Sequence, residues 1–155
     1  MDIKQLVEIS NFYGANSDFV LAGGGNTSMK DAHVLYVKGS GTTLKTITED
    51  GFVKMDRVAL KAMWEKNYSE DVAQREREVL VDLMEARAKG EQNKRPSVET
   101  SLHDLLPQRF VIHTHPALIN GLTCGKDFKR EVKKLFGDDV ICVNSMMPGY
   151  YLAKT

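Results

Sequence analysis

A chain of 155 residues with 21 basic and 21 acidic side chains carries no net field, which excludes general electrostatic capture by nucleic acid or by an anionic membrane surface. Its length suits one domain with a sizeable core. The N-terminal MDIKQLVEIS lacks the basic start and apolar centre of a secretory signal, and no apolar run reaches membrane-spanning length, so a cytoplasmic protein without a membrane partner is expected.

In chain order, Ile3, Leu6, Val7 and Phe12 recur near helical spacing behind Asp2, a good cap, and Gly14 is placed to end this first helix. FVLA at 19–22 reads as a short buried strand before a glycine loop, and NTSMK, a turn at 30–32 and HVLYVK read as strands of a hairpin. TEDGFVKM predicts a second hairpin, after which Asp56 caps a helix over DRVALKAMWEKN. Ser69 opens a longer helix to about Lys89, with Val72, Val79, Leu80, Leu83 and Met84 inward, the charges of AQREREV in solvent and Gly90 as its stop. EQNKRP is a loop, VETSLHDLL a short helix and RFVIHT a buried strand. Pro116 suits the first turn of a helix over ALINGLTCG, residues 126–136 are helical, ICV at 141–143 is a strand, and Tyr150 begins a last helix. Cys124 and Cys142 form no Cys-x-x-Cys arrangement and read as reduced core thiols.

Three features bear chemistry. His113 and His115, two of four histidines, stand one residue apart at the end of the apolar run FVIHTH, so along an extended strand their side chains project to the same face about 6.5–7 Å apart at the backbone. Imidazoles suit zinc, but a catalytic zinc site takes three protein ligands, so the pair is incomplete; one buried and one exposed structural histidine is the competing reading. Glu99, one short helix upstream, is placed to return toward the strand as a base or ligand, or else to stabilise the start of its own helix. AGGGNTS at 22–28 and KGSGT at 38–42 are glycine turns whose amides, with Asn26, Thr27, Ser28, Ser40 and Thr42, can meet an anionic oxygen, though each also serves as a simple tight turn. A dinucleotide fingerprint is rejected, because the G-x-G-x-x-G spacing is unmet and a strand follows.

Taken in order, GGGNTS, KGSGT, RPSVETSLH and HTHP resemble the class II aldolase/adducin family over nearly the whole chain, and within it the aldolase part of rhamnulose-1-phosphate aldolase/dehydrogenase fusion proteins. The resemblance implies a three-layer α/β/α fold on a central mixed, largely antiparallel sheet. It also implies a zinc-dependent aldolase acting on a ketose 1-phosphate, a homo-oligomer that is typically a tetramer, and no nucleic-acid partner. His113 and His115 fall on two of three zinc histidines, and Glu99 on the carboxylate that ligates or leaves the metal and moves the proton. Gly25, Asn26, Ser40, Gly41 and Ser97 fall on positions that cradle the substrate phosphate, while Val98 replaces a common second serine donor.

The family's third zinc histidine lies beyond the helix that begins near Tyr150, so residues 1–155 are expected to be a single domain incomplete at its C-terminus. His33 and His103 are not expected to substitute for it. Other activities on this scaffold are a sugar-phosphate 4-epimerase, a dehydratase, or a non-catalytic interaction module like the adducin head.

Overall fold

The protein is described here by a computed structural model covering residues 2–154. Helix α1 (Ile3–Ala15) starts where the Asp2 carboxylate accepts the Lys4 amide, as its sequence predicts. It does not stop at Gly14: that residue lies against the segment at Leu44 and Lys45, where an added Cβ would stand 2.3 Å from the Lys45 nitrogen, so its role is close approach and not termination. Asn11 on the same helix donates to the carbonyls of Leu44 and Ile47 and locks the contact.

Strands β1 (Asn26–Lys30) and β2 (Val34–Lys38) form the predicted hairpin. Its turn is built by Asp31, whose carboxylate accepts the amides of His33 and Val34. Strand β3 (Phe52–Asp56) pairs antiparallel with β2, and β4 (Phe110–His113) pairs antiparallel with β1, giving the order β3-β2-β1-β4. Helices α2 (Arg57–Ala62), capped by Asp56, and α3 (Val72–Glu85) follow β3; α4 (Thr100–Leu105) precedes β4; α5 (Ala117–Thr123), α6 (Phe128–Phe136) and α7 (Tyr150–Lys154) complete the chain.

Strand alternation divides the core between two faces of the sheet. On one, Met29 and Phe52 meet Leu6 of α1 and Ile47. On the other, Leu35, Val37, Val53 and Met55 meet Leu60, Met63, Val79, Leu83 and Tyr150. Helices thus cover both faces of an antiparallel sheet, the expected α/β/α layering, and no parallel pair occurs among the described strands.

Several sequence expectations are corrected. FVLA at 19–22 is a turn, with the Gly24 amide bonded to Leu21 O and Ala22 at φ 51°, and ICV at 141–143 is irregular with Ile141 almost fully exposed. TEDGFVKM is no hairpin: residues 49–51 are a short 3-10 turn feeding β3, whose partner is β2. Helix α3 is capped by Asp71, not Ser69, and Val72 is exposed. It ends before Lys89 because Ala86 and Ala88 bond Asp56 and Lys54 instead, so the chain zips onto the β3 edge through a Met55–Arg87 bridge. RFVIHT is only half-buried, with Ile112 in solvent. The thiols of Cys124 and Cys142 belong to no core cluster; both line an apolar cleft of 710 Å³ beside His113. No helix among the described residues is long and apolar enough to cross a membrane.

Candidate active site

Antiparallel pairing sets His113 directly opposite Asn26, so β4 delivers its imidazole to the end of β1 where the first glycine loop enters the sheet. That face of β1 carries Asn26, Ser28 and Lys30, all buried and all polar, and each finds a partner on or just before α4. The Asn26 amide donates to Ser97 Oγ at 2.6 Å and to Glu99 Oε2 at 3.3 Å; Ser28 Oγ lies 2.7 Å from His103 Nδ1; and Lys30 Nζ donates to the His103 carbonyl at 2.5 Å. Residues 91–97 are held for this purpose by Arg87, whose guanidinium donates to the carbonyls of Gln92 and Lys94, and by a bridge between Gly39 and Pro96. The hydrogen bonds of β1 therefore place Ser97 and Glu99.

His113 lies between an acid and a second imidazole. Its Nδ1 is 3.0 Å from Glu99 Oε2, and its Nε2 is 2.9 Å from Nε2 of His115. The predicted pair does converge, with ring centroids 4.6 Å apart. Glu99 and His115 face opposite nitrogens of one ring, however, so an ion on either nitrogen of His113 takes only one of them as its near neighbour. Burial works to raise the Glu99 carboxyl, but the hydrogen bond and charge offered by His113, with the Asn26 amide, outweigh it and hold Glu99 below the ordinary carboxylate range.

The glycine loop closes over these rings. His115 Nδ1 lies 3.3 Å from where a Gly24 Cβ would stand. Gly25 has φ +73° and no room for a side chain, with the His113 carbonyl 3.0 Å from its would-be Cβ. The second turn adjoins through its backbone, the Ser40 amide donating to Arg95 O at 2.8 Å, while the Ser40 and Gly41 surfaces face solvent. Between the two turns stands Lys38, buried, with a single long bond of 3.4 Å to Gly23 O among the described residues. Burial lowers its ammonium from the ordinary lysine value while the Glu99 charge works to raise it. Lys38 is not among the residues singled out from sequence, although a lysine at the inner end of an apolar strand, directly before a glycine turn, marks it.

Nor does the sequence mark His103 as a site residue. It is fully buried, and its Nε2 has no hydrogen-bond partner among the described residues. One ligand atom each from Glu99, His103 and His113 lies within 4.8 Å of the others. Burial pushes the His103 ring down to about 4, Glu99 working against the shift and His113 and Lys30 with it. An unfolded histidine takes its proton near 6.5 and the folded ring refuses it until about 4, so stability is lost as pH falls through that window. For the metal-free protein the loss should be on the order of 3 kcal/mol, read by urea denaturation between those pH values, and smaller in His103→Gln. An unchanged slope in the variant would assign the loss to other groups.

With this geometry in place, comparison with known proteins identifies the fold. Residues 4–154 match the Class II Aldolase and Adducin N-terminal domain. The chain belongs to this family. The structure of the N-terminal class II aldolase domain of a conserved protein from Thermoplasma acidophilum superposes with a TM-score of 0.83 at 33% identity, covering 99% of this chain and 73% of that one. An uncharacterized oxidoreductase, YuxG, of Bacillus subtilis is 30% identical over 98% of the chain, which spans 22% of that relative's length. The half-buried Glu99 and the paired imidazoles thus meet at one end of the β1–β4 ladder. Of the residues singled out from sequence, Gly25, Asn26, Ser97, Glu99, His113 and His115 are gathered there by direct contact. Ser40 and Gly41 are not gathered with them: both are exposed, and their turn is tied to the segment before Ser97 by the Ser40 amide on Arg95 O and the Gly39–Pro96 bridge.

Proposed function

We propose that this chain carries the metal- and phosphate-binding site of a class II sugar-phosphate aldolase that cleaves a ketose 1-phosphate, of the rhamnulose 1-phosphate kind, into dihydroxyacetone phosphate and an aldehyde. The observation that carries this reading is the convergence of Glu99 and two imidazoles at the mouth of two glycine turns in a chain of this family. The proposal includes a cytoplasmic homo-oligomer and kinship with aldolase/dehydrogenase fusion proteins. The latter is supported by a relative that is far longer than this chain and is named an oxidoreductase.

Imidazole and carboxylate donors suit zinc, and the buried, unpartnered nitrogen of His103 beside them supports a cation-accepting site. His113, with His115 and Glu99 as its neighbours, is the residue about which zinc would be held; when bound, the ion supplies Lewis-acid stabilisation of the ene-diolate left by carbon–carbon cleavage. Glu99 holds and returns the proton, kept ionised by His113 and Asn26 until it is needed. The Gly25 and Gly41 backbone, with Asn26, Ser40, Ser97 and the Lys38 ammonium, fixes the phosphate and so orients the distant reacting carbons.

The direct test presents the full-length protein with a panel of ketose 1-phosphates and follows release of dihydroxyacetone phosphate with a coupled reductase. Release that stops with a chelator and returns with zinc is expected. Inversion at C4 without release would reassign the site to an epimerase, and no turnover of any phosphate would remove the enzyme reading. Lys38 offers a finer check. Replacing it by methionine should raise KM for the phosphorylated substrate by about tenfold to a hundredfold, the loss of a charge-assisted hydrogen bond, with kcat little changed. Stability should rise in the same variant, because a buried ammonium with one long bond is removed. An unchanged KM would leave Lys38 with no part in phosphate binding.

A further inference from the structure

The geometry points to a second anion site at the far end of β1, where Lys30, Arg57 and Arg109 line one pocket that takes a phosphate monoester. It does not depend on the catalytic reading. Asn26 and Lys30 are the two ends of the same strand, so the pocket lies about 13 Å along β1 from the candidate active site. Asp31 and Pro107 complete its lining, and its volume of about 400 Å³ suits a small organic phosphate.

Three separate elements bring these cations together. The Lys30 amide donates to the Arg109 carbonyl at 2.8 Å, which sets the approach to β4 beside the end of β1. Arg57, from α2, is held by Asp104 Oδ1 and by the carbonyls of Asp31 and Asp104. The local acids do not cancel the charge. Asp104 pairs with Arg57, and the Asp31 carboxylate is turned to the amides of His33 and Val34. Arg109 is exposed and has no acidic partner among the described residues, its guanidinium standing 5.5 Å from the centre of the Phe110 ring.

Lys30 is the decisive residue. It is 4% exposed, and its ammonium directs one proton to the His103 carbonyl, leaving two without an acceptor among the described residues. Burial lowers that ammonium to about 8, Asp104 working against the shift and Arg57 with it. A buried ammonium with two unmet donors, beside a guanidinium with no acid, is costly until an acceptor with several oxygens meets both. A phosphate monoester offers three such oxygens and about −1.5 to −2 charges at neutral pH, which matches two unpaired cations. A carboxylate offers two oxygens and a single charge.

The experiment is titration of the full chain with glycerol 3-phosphate, and separately with inorganic phosphate, at constant ionic strength, followed by backbone amide NMR shifts. The amides of Asp31, Arg57 and Arg109 should move to saturation, apart from any response of Gly25 and Gly41 at the glycine turns. Arg109→Ala should weaken binding at the first group about tenfold or more, the loss of a charge-assisted hydrogen bond, and leave the Gly25 and Gly41 response as it was. Arg109 is exposed, so the variant keeps its fold. Tighter binding of glycerol 3-phosphate than of inorganic phosphate is expected; the reverse order would overturn the monoester in favour of free phosphate. Shifts confined to the glycine turns, equal shifts with sodium chloride, or binding undiminished in Arg109→Ala would remove the site and leave the catalytic reading intact.

Discussion

Replacing Glu99 by glutamine is expected to lower turnover of the proposed ketose phosphate substrate by about 100- to 10,000-fold, the usual range for loss of a positioned acid–base group. Glutamine keeps the shape and can still accept from Asn26 Nδ2, so Ser97 and α4 should stay where they are. What it loses is the charge that His113 faces at 3.0 Å and the ability to take a proton. The effect should fall on kcat more than on KM, because the substitution leaves the proposed phosphate contacts, the glycine turns and Lys38, untouched. Stability gives a second reading: a carboxyl held below its ordinary range supports the fold above the unfolded carboxylate value and ceases to do so as pH falls through its lowered one. Glu99→Gln should therefore flatten the acid limb of the stability curve as well as remove activity. A variant that turned over substrate at the parent rate would eliminate Glu99 as the base.

How much of this was legible in the chain follows from the range of each interaction. The β1–β2 hairpin could be read because its turn is local, with Asp31 closing on residues two and three positions ahead. Likewise Asp2 and Asp56 mark the helices they cap. The convergence of His113 and His115 is expected from strand alternation, but β4 ends at His113, and His115 is held just beyond it by its amide bond to Phe19 O. The apolar runs at 19–22 and 141–143 misled because composition cannot show whether a neighbouring strand exists, and a ladder needs two. Gly14 misled in another way: a glycine that permits a close crossing at Leu44 looks the same in sequence as one that ends a helix.

The site was legible in its residue types and hidden in its contacts. Glu99, His113 and the glycine turns are found by spacing and resemblance. His103 is found only by burial, because nothing in SLHD shows that Ser28, some 75 residues earlier, will take one ring nitrogen and leave the other without a partner. Lys38 is similar. Its position before a glycine turn is visible, but its isolation from other partners is a property of the folded molecule. The polar face of β1 is where the two descriptions meet: Asn26, Ser28 and Lys30 alternate as a strand should, yet they point inward, and the core tolerates them because α4 and Ser97 satisfy most of their bonds.

Truncating Tyr150 to alanine should cost about 3–5 kcal/mol of folding free energy, the range for removing a buried aromatic side chain from a core. Tyr150 opens α7 and is 1% exposed; its ring stacks on Trp64 at 4.8 Å, meets Tyr68 edge-on at 5.0 Å, and its hydroxyl donates to Met63 O at 3.0 Å. One side chain from the last helix thus completes the cluster formed by β2, β3, α2 and α3. Because α7 also packs on α4, the helix that follows Glu99, loosening it should disturb the site as well as the core. Tyr150→Phe separates the two contributions. It keeps the ring and removes the hydroxyl bond to Met63 O, which still accepts from the Lys66 amide, so it should cost about 1 kcal/mol. The same variant should alter the alkaline limb. Burial raises the Tyr150 phenol above its ordinary value of 10.0, so its contribution to stability is present below that pH and is lost as pH rises through the folded value. Tyr68, bonded to Asp82 and raised for the same reason, leaves part of that slope in place. Urea midpoints for the parent and both variants, at neutral and alkaline pH, measure all three quantities. If Tyr150→Ala lost no more than Tyr150→Phe, the ring would not be a core residue, and α7 would be a surface helix held by its hydroxyl alone.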